Sequence, residues 1–541
     1  MFEQVRLFAR DVKGNVAITF SLSLLPLIFA VGAAVDYSNA GRLQSRLQVG
    51  TDVATLAVCK ADSSATTADL RALAQKTTEG FVPGFPITLA RFDITSSPRS
   101  VVVRATTNSA TSFMKLATIK TVAVAAEATC SVGQTNYEVA LVVDTTGSMD
   151  GSAGSTTKIQ ALRSAATDFV NYLFDNASSG QVKVSLVPFS ATVKVDPTTL
   201  STATWIDQAG MSKTHWSNIN GAMAAGFRNR LDIFGKLKAA QSSWGWAGCF
   251  QSLPYPLNVQ DTQVTPANPD SYFVPLLAPD EVGNALNLLQ LPGNPGTNSY
   301  VDDGNLLGTC GRYAGTSAAR MNQACKYNLT QSSTTSKPGP NWTCTSRALT
   351  RLTTSRSLLL SEISLLTTAG NTNVHEGLMW GWRTISPNSV FADGAAYNSA
   401  TVVKTIVLMT DGQNAWTADS NNTLNGSEYS AYGYFTNADG TTASSTYFPP
   451  GVANPNSSAA ARAAIDRLSA EACTAINATQ KIAIYVVAFS SAAAPIDSAG
   501  QTLLSNCAGV SSRYFLASDS TSLTSAFKAI AQGIGQLRLT R

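Results

Sequence analysis

The apolar residues of this chain change period several times, and each change predicts a different element. Positions 16–35 form an apolar stretch without a charge. Twenty residues in a helix rise about 30 Å, enough to cross a bilayer's hydrocarbon core. Pro26 lies inside the stretch, which a membrane helix tolerates. From 37 to 60 the spacing turns amphipathic, with Leu43, Leu47, Val53, Leu56 and Val58 among polar residues. Leu70, Leu73 and Phe81 mark a second such helix. Three alternating or apolar runs follow at 87–94, 100–105 and 121–129, predicting short strands.

Beyond 136 strands and helices alternate. An apolar run at 139–143 meets Asp144, a helical pattern covers 158–174, a strand covers 182–189, and 191–195 reads as a short partner strand. Roughly 196–341 then loses all period and is rich in Pro, Gly, Asn and Trp, including Trp244-Gly245-Trp246. A structureless loop of that length is improbable in a compact domain, so an inserted subdomain is expected, its tryptophans serving packing rather than sugar stacking. The pattern resumes at 349–366, with a helix at 376–385 and a strand over 402–409 that leads into Asp411. A second polar insert covers 415–456. Helix 459–476, strand 482–489, short strand 513–516 and a last helical spacing (Leu523, Phe527, Ile530, Ile534, Leu537) close the chain. The fold class is α/β, a mostly parallel sheet flanked by helices.

Three short polar pieces stand where loops begin: Asp144-Thr145-Thr146-Gly147-Ser148, Gly370-Asn371-Thr372-Asn373 and Thr410-Asp411-Gly412. Turn chemistry alone explains any one of them. Two, however, end buried strands, and open α/β sheets place ligands at the carboxyl ends of their strands. Together Asp144, Thr146, Ser148, Thr372 and Asp411 offer two carboxylates and three hydroxyls, an all-oxygen set suited to one Mg²⁺ or Ca²⁺.

The trio resembles the metal-ion-dependent adhesion site (MIDAS) of von Willebrand factor A (VWA) domains, patterned Asp-x-Ser-x-Ser, a distant Thr and a distant Asp. Thr146 stands at the second hydroxyl position, and Gly370-Asn371-Thr372-Asn373-Val374 is similar to the stretch around the family's Thr. The resemblance implies a Rossmann-like VWA domain whose cation keeps an open position for a partner's carboxylate, and no enzymatic activity. His375 has no Ser/Asp relay beside it; a supporting contact or a place on the helix surface is expected. A rival resemblance, to the phosphorylation and metal loops of P-type ATPases, would make Asp144 a phosphotransfer nucleophile. Against it, Thr145 stands where that family has Lys, and Ala415 where it has a second Asp.

Composition bears on the compartment. Charged residues are 13% of the 541, about half the usual share of roughly 25%. The net charge of +4, with no long basic stripe, gives no sign of nucleic-acid binding. The cysteines are Cys59, Cys130, Cys249, Cys310, Cys325, Cys344, Cys473 and Cys507. With no Cys-x-x-Cys pair and only His215 and His375, zinc and haem sites are disfavoured. Disulfides are expected outside the cytosol, buried thiols otherwise. Arg6, Arg10 and Lys13 precede the apolar span and basic residues are scarce just after it. This predicts a cytoplasmic amino terminus and everything else outside, on a retained anchor rather than a cleaved signal.

The opening Gly14-Asn15-Val16-Ala17-Ile18-Thr19-Phe20, with Asp36 ending the span and 48–57 beyond it, resembles TadE/TadG-like Flp pilus-assembly proteins. Counting from Gly14, Thr19 stands where pilins carry Glu, so an intact anchor fits better than prepilin processing. The expected order is a cytoplasmic segment 1–15, a transmembrane anchor 16–35, a pilin-like α+β module 36–133, and a VWA domain 136–541 split by inserts 196–341 and 415–456. The two resemblances imply a single-pass protein of the bacterial inner membrane, its bulk in the periplasm. Its partners would be pilus-assembly proteins or pilus subunits, bound through an acidic residue and the cation. The alternative is a surface adhesin using the inserts. A VWA arrangement would make Cys473 and Cys507 neighbours, while Cys59 and Cys130 share the first module. Cys249, Cys310, Cys325 and Cys344 allow three pairings.

Overall fold

A computed structural model describes residues 13–61, 65–96, 99–132, 136–177, 179–281, 297–301, 317–328, 338–422, 424–441, 444–452 and 455–536. Arg6, Arg10, Cys310 and Leu537, singled out above, lie outside these residues. The chain forms two compact units, Met1–Gln134 and Thr135–Arg541.

In the first unit, one 48-residue helix, α1 (Lys13–Lys60), joins the apolar span to the amphipathic stretch, with Pro26 inside it. Its beginning exposes Phe20, Leu24, Leu27 and Val31, and it is long and apolar enough to cross a membrane. Farther along, Leu43, Leu47, Ala54 and Val58 turn inward. Helix α2 (Thr67–Phe81) starts at a capping box in which Thr66 and Asp69 satisfy each other's backbone donors. Strands β1 (Thr88–Ser96), β2 (Arg99–Ala110) and β3 (Thr121–Val132) form an antiparallel sheet in that order. Period-two burial of Val101, Val103 and Ala105 turns one face of β2 toward Leu43, Leu47 and Leu70. A Cys59–Cys130 disulfide, Cα atoms 6.4 Å apart, ties the end of α1 to β3.

The second unit runs β4 (Asn136–Asp144), α3 (Lys158–Asp175), β5 (Val182–Phe189), α4 (Arg230–Ala240), β6 (Thr350–Thr353), α5 (Arg356–Ser364), α6 (Val374–Ile385), β7 (Val402–Thr410), α7 (Ser458–Ala478), β8 (Ile482–Phe489), α8 (Ser498–Ala508), β9 (Tyr514–Ala517) and α9 (Ser520–Gln536), besides short turns. The sheet order is β6-β5-β4-β7-β8-β9; every neighbouring pair is parallel except β5 with β6. Along β4, Val139, Leu141 and Val143 face α3, α5 and α9, whereas Ala140 and Val142 face α6 and α7. Both faces of the strand are therefore buried, which is why its sequence reads as one apolar run.

One expectation needs correction, and two segments gain detail. Residues 191–195 make isolated bridges, Phe189 to Val193 and Lys194 to Cys249 and Ala348, rather than a strand. The 349–366 segment begins as the antiparallel edge strand β6 before turning helical. Described residues of the 196–341 insert enter two clusters: Cys249, Leu276, Ala278 and Met321 pack with Tyr429, Tyr434 and Ala438 of the second insert. Trp205, Phe250 and Phe273 join the host core, with Phe250 and Phe273 5.8 and 5.3 Å from Trp380 of α6, ring centre to ring centre. Every residue of α6 is buried, because this helix lies between the sheet and the insert and has no solvent face. Cys249–Cys344 and Cys473–Cys507 are bonded, with Cα atoms 5.8 and 5.0 Å apart, and Cys325 is also disulfide-bonded.

Candidate metal centre

Strands β4 and β7 are neighbours in register, Val143 beside Met409, so the loops leaving their carboxyl ends start side by side. From β4 the chain goes outward to β5 and β6, then returns to β7 and continues to β8 and β9. The order reverses between β4 and β7, and such a switch point opens a crevice at the strand ends. Backbone bonds hold the three loops together. Gly147 N donates to Gly370 O at 3.0 Å, Ala369 N to Thr145 O at 2.9 Å and Ala415 N to Thr372 O at 2.8 Å. Gly370 has φ +81°, a conformation glycine adopts without strain.

The five expected residues converge here. Asp144 Oδ1 accepts from Thr146 N (2.9 Å) and Thr146 Oγ1 (2.6 Å), and Asp144 Oδ2 accepts from Thr410 Oγ1 (2.6 Å). Thr146 Oγ1 lies 2.9 Å from Ser148 Oγ and 3.3 Å from Thr372 Oγ1. Ser148 Oγ donates to Asp411 Oδ1 at 2.6 Å. Asp144, Thr146, Thr372 and Asp411 are buried, while Gly147 and Ser148 are exposed and form the open edge. Supporting residues lock the Thr372 loop. Asn373 caps α6 by accepting from Glu376 N, and Asn414 Oδ1 accepts from Val374 N at 2.7 Å. Asn371 Nδ2 donates to Thr417 Oγ1 (2.9 Å) and Glu428 Oε2 (3.0 Å), tying the 415–456 insert to the same loop.

One central residue was missed. Lys158, the first residue of α3, is fully buried and donates from Nζ to Asp411 Oδ2 at 2.6 Å. Its place was itself a signal, since a helix amino terminus disfavours a cation unless an acid lies nearby. Thr410, quoted in the motif but not counted as a ligand, is the other unforeseen partner. His375 is not on the helix surface: it is buried, with Nδ1 2.9 Å from Tyr432 OH and Nε2 2.8 Å from Asn258 O. It joins both inserts to α6.

With both carboxyls ionised the charges at the centre do not balance: Asp144 and Asp411 carry −2 against +1 from Lys158, leaving −1. Burial first, and the Asp411 charge second, push the Asp144 carboxyl up to about 7 despite its hydrogen bonds. Among the described residues no group of three or more His, Cys, Asp or Glu side chains could hold a metal ion. A cation at this centre would therefore depend on the hydroxyls. The donor set fits a hard divalent ion: it is all oxygen, partly anionic, pre-positioned and open on one side.

Residues 14–69 match the Tad family model, described as Flp pilus-assembly TadE/G-like. No curated protein sequence matches the chain. Among solved structures, the vWF domain of the type V pili tip protein Mfa5 from Porphyromonas gingivalis aligns at 11% identity and TM-score 0.32, covering 75% of this chain and 97% of that one. The PilB minor pilin from Streptococcus sanguinis aligns at 14% identity and TM-score 0.32, covering 84% and 79%. The pilus adhesin SpaC from Lactobacillus rhamnosus GG aligns at 11% identity and TM-score 0.31, covering 84% and 35%.

Proposed function

We propose that this protein is a membrane-anchored component of a Tad-type pilus apparatus, and that its second unit is a VWA domain binding a partner protein through one Mg²⁺ or Ca²⁺. The observation that carries the reading is the meeting of Asp144, Thr146, Ser148, Thr372 and Asp411 at the switch point between β4 and β7. The Tad match at 14–69 supplies the biological setting, and the apolar start of α1 supplies the anchor. In this reading α1 crosses the bacterial inner membrane and both units lie in the periplasm, where disulfides form.

The residues that would hold the ion are Asp144, Thr146, Ser148, Thr372 and Asp411. Bound there, a divalent ion supplies Lewis acidity and positive charge toward an acidic side chain of the partner. Lys158 neutralises part of the carboxylate charge, so the loaded centre would carry a net positive charge that favours such an anion. Ser148, at the exposed edge, is where the partner would approach.

The test is capture of pilus-apparatus proteins from envelope extracts by the wild-type chain and Asp144→Ala, each with Mg²⁺ or Ca²⁺ and with chelator. Capture by the wild type with metal alone is expected. Equal capture in all four conditions would show that the centre is no metal bridge.

A further inference from the structure

The hairpin tip between β2 and β3 carries an apolar ledge beside the membrane-spanning part of α1. The tip is short and internally closed: Thr111 N donates to Lys120 O and Ile119 N to Met114 O, both at 3.1 Å. Thr118, at φ 68°, turns the chain back after the 3-10 turn Met114–Ala117. Asp36, at the end of the uncharged span, fixes the tip to the helix. Its Oδ1 accepts from Ser112 N at 2.9 Å, and its Oδ2 accepts from Phe113 N at 2.8 Å and Met114 N at 2.7 Å.

Below this clamp the Phe113 ring lies on Gly32. Any Cβ at position 32 would come within 2.5 Å of Phe113, so glycine is what admits the ring. Phe113 and the helix residues Leu24, Ile28 and Val35 line an apolar groove of about 220 Å³. Despite the clamp the tip leaves large apolar side chains in the open: Leu116 is 82% exposed, Ile119 43% and Phe113 39%. Lys115 and Lys120, both exposed, flank them.

Gly32 is three residues before the end of the 16–35 span. At about 1.5 Å per residue it lies roughly 4.5 Å inside the span's outer end. A ledge at that level sits where acyl chains meet headgroups. Leu and Phe side chains bury there, while lysine stems reach out to the phosphates.

We propose that the tip at residues 112–120 inserts into the outer interface of the same bilayer that α1 crosses, with anionic phospholipid as its ligand. The proposal rests on the anchor reading of α1 and is independent of the metal centre. Two observations favour lipid as the occupant: the ledge is continuous with the exposed apolar face of α1, and basic residues border it on both sides. The tip thereby gives the anchor a second, rigid foothold, restricting how the first unit tilts and rotates on the membrane.

The experiment uses the full chain in vesicles of phosphatidylglycerol and phosphatidylethanolamine. No free cysteine occurs among the described residues, so Leu116→Cys introduces one labelling site for an environment-sensitive fluorophore. Leu27→Cys reports on the span and Glu79→Cys, exposed on α2, on water. Quenchers attached to lipid at shallow and deep positions are then compared. The expected result is loss of Leu116 fluorescence with the shallow quencher, loss at Leu27 with the deep one, and none at Glu79. Quenching at Leu27 with a water-like, unquenched Leu116 would overturn the foothold and leave the anchor intact. A blue-shifted Leu116 signal that no lipid-borne quencher reaches would overturn it too, because protein would then cover the ledge. No quenching at Leu27 would overturn the anchor and the foothold together. Asp36→Ala, which frees three backbone donors, should reduce Leu116 quenching while leaving Leu27 unchanged; equal quenching at Leu116 would show that the clamp does not position the tip.

Discussion

Buried acids meet a buried lysine at each end of the β4–β7 pair, and the two ends solve the same problem differently. At the amino ends Glu138 and Lys404 face each other in register and form an ion pair. Ala395 N donates to both Glu138 oxygens at 3.0 and 3.1 Å, and Lys404 Nζ donates to Ile385 O at 2.7 Å. One acid meets one base, and backbone groups take up the rest. At the carboxyl ends two acids stand against one lysine: Lys158 pairs with Asp411, while Asp144 is held only by hydroxyls and a backbone N–H. A neutral, saturated cluster has nothing left to bind. An under-neutralised one with an exposed edge can take a cation, so the imbalance marks the carboxyl end as the candidate site.

The strongest expected effect is at the balanced end. Lys404→Met strands a buried Glu138 carboxylate and should destabilise the second unit by about 3–5 kcal/mol, with or without divalent metal. Denaturant unfolding of the full chain measures this. Adding Glu138→Leu should recover most of the loss, since a buried pair contributes less than its rupture costs. A large metal-dependent recovery in the single variant would erase the distinction between the two ends.

Lys158→Met is the matching change at the unbalanced end. It leaves Asp144 and Asp411 facing each other without a counter-charge, though Ser148 and Thr410 still donate to them. In chelator the loss should be about 2–3 kcal/mol, smaller than at Lys404 because these hydroxyls remain. Added Mg²⁺ or Ca²⁺ should restore most of it, because a ligand bound only by the folded state stabilises that state. Thermal unfolding with a metal titration decides the matter. A loss unchanged by metal would make this end a second structural cluster.

Asp144→Asn should alter metal-free stability by less than about 1 kcal/mol. The substitution removes one of two repelling charges, and Thr410 Oγ1 can turn to accept from the new amide. The same variant should lack the metal-induced rise in unfolding temperature expected of the wild type. Calorimetric titration with Ca²⁺ measures the binding directly, and undiminished binding by the variant would remove Asp144 from the centre.

What the sequence made legible follows the same contrast. Asp144 and Asp411 stand out because an apolar strand leads into each, and Thr372 because Gly370-Asn371-Thr372-Asn373-Val374 resembles the stretch around the VWA family's Thr. Lys158 does not, because a lysine opening an amphipathic helix looks like any solvated residue until Asp411, more than 250 positions away, is brought beside it. The apolar period of the strands and main helices was readable for the same reason that they are buried. The 196–341 insert was not, since apart from Phe234 on α4 its buried aromatic residues pack through turns and short 3-10 segments that carry no period. Nor did a lone Asp36 announce a clamp on a hairpin tip 76 residues away.

The smallest expected effects come from Thr146, where two variants separate the hydroxyl from the methyl. Thr146 is buried and its Oγ1 touches Asp144, Ser148 and Thr372 at once. Thr146→Ser keeps every one of these contacts and removes one buried methyl, so stability should fall by about 0.5–1 kcal/mol. Metal affinity should be nearly unchanged. Thr146→Val keeps the shape and deletes the oxygen. Asp144 Oδ1 then retains only the backbone N–H donor, the hydroxyl chain breaks in the middle, and any cation there loses one of its five side-chain donors. Its stability should differ little from that of Thr146→Ser, yet its Ca²⁺ affinity should drop while that of the serine variant holds. Equal affinities for the two variants would mean that the residue only fills space, and the unbalanced end would then have to bind its cation through the carboxylates and Ser148 alone.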